Sequence, residues 1–190
     1  MSVPSPGTAA LPPPPTPAVL SWTDPRPMGR AAQAFIAAQC LSQLGVGLVG
    51  GTRWEYYPVA VTPLVALFIG SVVTFIRWFR QCRVNAALLA PGSQKYAPGL
   101  AAGAWFIPFV MLWVPRRMAV DIARASGVRG AAWLVNAWWA AWLVRTLAPG
   151  VAGGGAGFSR VEVAAALVAG VLVVVLIQRI TAAQVARAAG

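Results

Sequence analysis

The residue types that usually carry acid–base, metal or thiol chemistry are scarce in this chain. It has no histidine, four acidic residues and two cysteines, Cys40 in an apolar run and Cys82 in a basic stretch. A metal site or an activated nucleophile needs such side chains at close spacing, and the sequence contains no motif of that kind. We therefore predict no catalytic residue, no metal and no cofactor, and expect both thiols to be reduced.

The polar residues with a candidate role fall in two places. Asn136 lies inside an apolar run, where an amide needs an inter-helix hydrogen bond or a ligand, and we favour the hydrogen bond. Arg117, Asp121 and Arg124 recur at i, i+4 and i+7, with apolar residues one position behind each. This pattern predicts a short amphipathic helix over residues 116–126, with ion pairs along its charged face. Its apolar face would pack on a membrane surface or on other helices.

Tryptophans form a third group. Packing and membrane-interface belts account for most tryptophans in membrane proteins, so a ligand-binding box is the less favoured interpretation. The residues concerned are Trp105, Trp113, Trp133, Trp138, Trp139 and Trp142.

The elements that must position these residues are apolar helices. The chain is 58% hydrophobic and 10% charged, against roughly 25% charged residues in soluble proteins. We predict an all-α integral membrane protein with a membrane domain over residues 30–184, between a disordered proline-rich tail (1–29) and a short C-terminal tail (185–190). Its four transmembrane helices are predicted at 30–51, 58–79, 131–147 and 160–180, with a basic loop after the second.

Single residues of these helices have packing interpretations. Gln39 and its polar neighbours should face other helices, and the small pair Ala166 and Gly170 would let a helix approach closely. Arg145 lies near a predicted helix end, where its side chain can reach the membrane interface.

The segment 99–115 is the least ordinary part of the membrane domain. Sixteen residues from 99 to 114 would reach about 24 Å as a helix, short of the roughly 30 Å hydrocarbon core. Pro108 lies in its middle and Pro115 near its end, and proline disfavours helix at the preceding residue. We predict a re-entrant segment with its tip at Ile107 and Pro108; a fifth span is the alternative.

The basic residues favour the re-entrant model. If the segment crosses fully, eight basic residues lie on the inside and seven on the outside, which is almost no bias. If it returns, twelve lie inside and three outside, as the positive-inside rule describes. The outside set is then Arg53, Arg145 and Arg160. This topology predicts a multi-pass protein of the bacterial plasma membrane with both termini in the cytoplasm.

This topology accounts for the net charge of +11. The basic residues cluster at the ends of apolar runs, which indicates attraction to anionic lipid headgroups and excludes a continuous nucleic-acid-binding face. We therefore expect a lipid bilayer with anionic headgroups as partner, a protein partner or a second copy of the chain beside it, and no nucleic acid.

Four stretches resemble a known family. FIRWFRQCRVNAALL, KYAPGLAAGAWFIPFVMLWVPRRMAVDIARAS, NAWWAAWLV and RITAAQ are similar to the bacterial membrane family catalogued as domain of unknown function 4328, over roughly residues 30–184. In the most specific part, Trp105, Pro108, Leu112 and Pro115 match, whereas Met111 stands where asparagine is expected. Arg116 and Arg117 close this motif. The resemblance implies membrane location and this architecture, and it implies no reaction.

Two functions remain open. We predict a non-enzymatic scaffold or accessory subunit of the inner membrane, because catalytic residue types and charge inside the membrane are missing. The alternative is a small transporter or channel that uses the bent segment 99–115 and Asn136, since broken helices near the middle of the membrane bind substrate in many transporters.

Overall fold

The computed structural model describes residues 21–97, 99–151 and 160–189, without the side chains of 148–151, and these residues form helices and connecting turns with no strand among them. The predicted tail therefore lies mostly outside the described residues. The helices are α1 (Arg26–Leu48), α2 (Tyr57–Leu89), α3 (Leu100–Gly103), α4 (Val114–Ala125), α5 (Ala131–Val151) and α6 (Arg160–Ala189), with 3-10 turns at Gly51–Arg53 and Val110–Leu112.

Three of the described helices, α1, α2 and α6, are long and apolar enough to cross a membrane. The predicted third span forms α5, which is not one of the three. Asn136, Arg145 and four tryptophans within α5 lower its hydropathy. The count of four spans therefore stays a prediction.

Close contacts show that α1 runs antiparallel to both α2 and α6: near its start Gly29 faces Trp78 and Thr181, and further along α1 contacts earlier residues of both helices. The Phe35 ring lies on Gly70, where a Cβ atom would come within 2.5 Å of it, so α1 and α2 form the antiparallel hairpin that their short connection predicts. The Cys40 Sγ lies so close to Gly170 that a Cβ there would be 2.3 Å away. The prediction that Gly170 allows a close helix approach is confirmed.

Helices α1, α2 and α6 extend beyond their predicted bounds. The first begins at Arg26, four residues before the predicted start, because Pro25 is buried and Gly29 packs on Thr181. The predicted basic loop after residue 79 is wrong: α2 continues to Leu89, because one face of this stretch, including Cys82, is buried against other helices. Helix α6, whose predicted end is residue 180, continues through residues 181–189.

The two ends of the bundle differ in packing. Large buried side chains collect where α1 begins and where α2 and α6 end; we call this the packed end, and it includes Trp78, Met118, Ile122, Ile180 and Gln184. The opposite half of α2 is apolar but exposed, including Val59, Val65 and Ile69. We call that the sparse end. Apolar side chains without protein cover suit a helix that faces lipid.

Candidate functional site

The segment 99–115, which we call the hairpin, does not form one continuous helix: it consists of α3, turns and the 3-10 turn at Val110–Leu112. Before it, the carbonyl oxygen of Tyr96 accepts a hydrogen bond from Arg83 of α2. At its tip, the Trp105 ring packs 5.5 Å from Phe75 of the same helix. Phe75 and Arg83 are eight positions apart, which corresponds to about 12 Å along α2. The chain then returns along α5, where Leu112 accepts a hydrogen bond from the Trp139 indole at 3.1 Å.

Trp105 is the centre of an aromatic cluster that holds the hairpin between α2 and α5. Its ring centroid lies 5.5–6.3 Å from five other rings, most of them edge-on, an arrangement that favours aromatic pairing. Those rings are Phe75, Phe79, Trp138, Trp139 and Trp142. Trp113 and Trp133 are exposed and lie outside this cluster. Sequence reasoning missed the two phenylalanines, because they belong to another helix.

The turn of the hairpin exposes apolar side chains. Phe106 and Phe109 are 70% and 73% exposed, and Pro108 between them is exposed as well. Phe109 has a φ of 64°, a left-handed conformation that is unfavourable for a bulky residue. Met111 is partly buried in the following 3-10 turn, where its backbone N–H donates to the Ile107 carbonyl oxygen.

Where the hairpin returns, it leads into a basic cleft of about 350 Å³. Pro115 is buried at the first turn of α4, a position where proline removes no helical hydrogen bond, so α4 starts at once after the hairpin. The cleft lies between α4, the first turns of α5 and the segment before the hairpin. Its polar lining consists of Lys95, Tyr96, Arg116, Arg117, Asp121, Arg124 and Asn136.

Asn136 and Arg116 join the two helices at this cleft. The Arg116 Nε donates to Asn136 Oδ1 at 3.0 Å. Both side chains keep solvent contact and line the cleft. Asn136 therefore makes an inter-helix hydrogen bond, and it does so at the cleft surface and not in the apolar interior.

Asp121 is the single carboxylate among the described residues that line the cleft. The ion pairs predicted along this face of α4 are wrong, because within the described part of the chain Asp121 reaches no basic side chain at ion-pair distance. Burial raises the pKa of the Asp121 carboxyl above its ordinary value, while Lys95, Arg124 and Arg83 act in the opposite direction. Four cationic side chains thus face one carboxylate, and the cleft carries a net positive charge.

A group of buried polar side chains, which we call the polar lock, holds the packed end together. The Nε2 of Gln184 donates to the Cys82 carbonyl oxygen at 2.9 Å and to Ser126 Oγ at 3.1 Å. Its Oε1 accepts from Asn85 Nδ2 at 3.2 Å. Asn85 also exchanges two hydrogen bonds with the backbone of Thr23. The lock therefore ties the segment before α1 to the ends of α2, α4 and α6.

Sequence reasoning missed the polar lock. A signal was present, because Asn85, Ser126 and Gln184 lie within three of the four stretches that resemble the family. Charge and periodicity alone did not single them out.

A central cavity of about 340 Å³ lies on the other side of the hairpin tip. Trp105 and Phe106 of the hairpin line it, and α1, α2, α5 and α6 supply the remaining walls. Asn136 does not line it, so the structure separates the two parts that the transporter interpretation combines.

The chemistry available at these sites is binding. The described ranges hold no group of three or more histidine, cysteine or acidic side chains that could bind a metal. The basic cleft offers guanidinium and ammonium groups, which bind phosphate and carboxylate oxygens. The central cavity offers apolar surface with a few polar groups.

Comparison with known proteins gives one match. The family described as "Domain of unknown function (DUF4328)" matches residues 55–189, a range that contains the hairpin, the basic cleft and most of the polar lock. No curated protein and no solved structure matches the chain significantly.

Proposed function

The chain belongs to the family described as "Domain of unknown function (DUF4328)", and from this we propose that it is a polytopic protein of the bacterial inner membrane that acts as a non-enzymatic scaffold or accessory subunit. The basic cleft is the observation that carries this proposal. In it, four cations from α4 and from the segment before the hairpin surround one carboxylate. We propose that the cleft holds anionic lipid headgroups of the cytoplasmic leaflet, while the exposed apolar helices face lipid, a protein partner or a second copy.

The cleft suits this role electrostatically. Each lysine or arginine near an anionic leaflet contributes about 1 kcal/mol of attraction, and arginine binds phosphate oxygens with two parallel hydrogen bonds. Arg116 is already oriented by Asn136 at 3.0 Å, which reduces the entropy lost when it binds a headgroup.

The proposed topology has four spans, both termini in the cytoplasm and a re-entrant segment at 99–115. Its support is that the polar lock joins the segment before α1 to the ends of α2, α4 and α6, and that Arg83 of α2 donates to the Tyr96 carbonyl oxygen just before the hairpin. Twelve of the fifteen basic residues belong to the packed end of the chain's helices or to their connections there. The exposed apolar tip of the hairpin is consistent with contact to lipid.

Lipid retention tests the role of the cleft. The full chain would be released from nanodiscs of equal phosphatidylglycerol and phosphatidylethanolamine, and bound lipid measured by native mass spectrometry. We expect the double variant Arg117→Gln/Arg124→Gln to bind phosphatidylglycerol about thirtyfold more weakly, because two charges are lost at about 1 kcal/mol each. The matched control, Arg53→Gln/Arg129→Gln, removes two exposed cations outside the cleft. Equal losses in both variants would show that net charge alone attracts the lipid.

Cysteine labelling tests the topology. After removal of Cys40 and Cys82, single cysteines at Ser93, Arg129 and Thr52 provide exposed reporters. The re-entrant model requires positions 93 and 129 to react from the cytoplasmic side and position 52 from the opposite side. Reaction of 93 and 129 from opposite sides would establish a fifth span.

Repeated cross-linking in native membranes that captures neither a partner nor a second copy would count against the scaffold role.

A small transporter or channel is the second candidate. The lining of the central cavity by Trp105 and Phe106 favours it, because a broken segment next to a cavity is how many transporters form a binding site. This candidate predicts that Pro108→Ala abolishes a measurable flux and leaves assembly intact. Unchanged flux would remove it.

A further inference from the structure

The four cations of the basic cleft lie in two pairs along α4. The first pair, Arg116 and Arg117, belongs to the first turn of this helix. The second pair consists of Arg124, near the end of the helix, and Lys95, from the segment before the hairpin. Arg117 and Arg124 are seven positions apart, which corresponds to about 10.5 Å along the helix axis. The cleft therefore offers two positions for anionic groups.

Asp121 lies between the two pairs, four positions after Arg117 and three before Arg124. The Gln94 Nε2 donates to the backbone carbonyl oxygen of Asp121 at 3.3 Å, which places the adjacent Lys95 beside this residue. Asp121 is partly exposed and lines the cleft. Its carboxyl group makes no hydrogen bond or ion pair within the ranges that the structure describes. The carboxyl oxygens therefore remain able to accept a hydrogen bond from a ligand.

The charge of the cleft exceeds what one phosphate can neutralise. Four cations face one carboxylate, whereas a phosphodiester carries a single negative charge and would leave one pair of cations without an anion. A headgroup with two phosphates supplies an anion to each pair. A hydrogen-bond donor between the phosphates would then meet the Asp121 carboxyl group, which otherwise repels the headgroup.

An exposed apolar face of α5 begins at the cleft and indicates that the ligand is a lipid. Trp133, Val144 and Leu147 are exposed and share a side of α5 with Asn136, which lines the cleft. In membrane proteins an exposed tryptophan is typical of the headgroup level. A molecule with its phosphates in the cleft can thus lay its hydrocarbon chains along α5, which a soluble bisphosphate does not need.

We propose that the cleft selects a lipid whose headgroup has two phosphates joined by a short linker with a hydroxyl group, the chemistry of cardiolipin. One phosphate lies at each pair of cations, and the hydroxyl group donates to Asp121. This inference rests on the proposed role of the cleft as a headgroup site and names the class of lipid that it prefers.

A comparison of three lipids tests the proposal. Cardiolipin, phosphatidylglycerol and a cardiolipin analogue without the linker hydroxyl group would each be titrated into the full chain in detergent, and binding measured by native mass spectrometry. We expect cardiolipin to bind about thirtyfold more tightly than phosphatidylglycerol, because its second phosphate engages two further cations. The analogue should bind about tenfold more weakly than cardiolipin, because it lacks the donor for Asp121.

Two double variants locate the phosphates. Lys95→Gln/Arg124→Gln removes the second pair and Arg116→Gln/Arg117→Gln the first. Each should reduce the preference for cardiolipin over phosphatidylglycerol to about threefold or less, because one pair of cations remains. The matched control Arg53→Gln/Arg129→Gln, which removes two exposed cations outside the cleft, should keep the full preference.

A single variant locates the hydroxyl group. Asp121→Leu has a similar size and no acceptor, so it should bind cardiolipin and the analogue equally. Size-exclusion profiles and circular dichroism of all variants monitor folding.

The outcomes separate this inference from the role on which it rests. Equal affinity of the wild type for cardiolipin and phosphatidylglycerol would overturn the inference, as would equal affinity for cardiolipin and the analogue. A preference that persists in both double variants would also overturn it, because the four acyl chains of cardiolipin would then explain the preference. If neither double variant weakens binding of any lipid relative to the control, the role of the cleft as a headgroup site fails as well.

Discussion

The packed end and the sparse end of this bundle are built from the same helices but are stabilised by different surroundings. At the packed end, Trp78, Cys82 and Asn85 of α2 are completely buried by protein. At the sparse end, Val59 of the same helix is 76% exposed. One helix thus changes along its length from a protein core to an apolar surface. The difference shows that hydropathy alone does not tell which apolar residues pack inside the protein and which stay exposed.

Of the substitutions that test this comparison, Trp105→Ala should lower the stability of the protein most. Its partly buried ring contacts five others, and truncation of an aromatic side chain in a core typically costs about 3–5 kcal/mol, so we expect a loss of about 3 kcal/mol. The loss of unfolding free energy would be measured by titrating the purified protein in detergent with denaturant. Trp133→Ala, with a side chain 72% exposed, and Val59→Ala at the sparse end should each change stability by less than about 1 kcal/mol. Similar losses in all three variants would show that the aromatic cluster stabilises the fold no more than exposed apolar side chains do.

Gln184→Leu should have the second-largest effect. The variant leaves the buried Cys82 carbonyl without its side-chain donor and removes a partner from Asn85 and from Ser126. We expect a loss of about 2–3 kcal/mol of unfolding free energy. Gln178→Leu, an exposed glutamine on the same helix, is the matched control and should be close to neutral. If both variants behave alike, the polar lock does not stabilise the packed end.

The tip of the hairpin extends the comparison to an exposed apolar surface that lies away from the packed end. Phe109→Gly and Phe109→Ala both remove the ring, but only glycine relieves the positive φ of 64°. Glycine should therefore be more stable than alanine here by about 1 kcal/mol, in the same unfolding assay. Alanine equal to or better than glycine would show that the backbone is not strained at this position.

The smallest effect concerns pH at the basic cleft. The pKa of Asp121 is raised mainly by burial, so the carboxyl becomes neutral as the pH falls through that raised value. Lys95, Arg116, Arg117 and Arg124 line the same cleft, and Arg83 acts on the same carboxyl. Binding of phosphatidylglycerol should therefore rise about fivefold at most on acidification. In Asp121→Asn the affinity should already be high at neutral pH and should not change over this range.

Part of this architecture could be predicted from sequence. The helical class, the first hairpin, the interruption near Pro108 and the close approach at Gly170 follow from hydropathy, proline chemistry and residue size. Each depends on properties that are local in the chain. The family resemblance was recognised from short motifs and is confirmed over residues 55–189.

The features that could not be predicted depend on residues that are far apart in the sequence. Charge at Arg80 and Arg83 predicted a loop, but α2 continues because residues from α4 and α6 cover it. Asn85 and Gln184 are 99 positions apart, and nothing local indicates that they meet. The pattern within α4 likewise gave no indication that Lys95 and Arg83, outside that helix, act on Asp121.

The polar lock also sets an order of events during synthesis. Asn85 leaves the ribosome 99 residues before Gln184, which corresponds to roughly 5–20 s at 5–20 residues per second. Throughout that interval the hairpin of α1 and α2 lacks the side-chain amide of Gln184, which hydrogen-bonds to Asn85 and to the Cys82 carbonyl oxygen. Release of the last turns of α6 then closes a contact that includes Thr23, at the beginning of the described chain. A protein shortened before position 184 would thus retain its apolar helices but lack the hydrogen bonds of Gln184 to Asn85, Cys82 and Ser126.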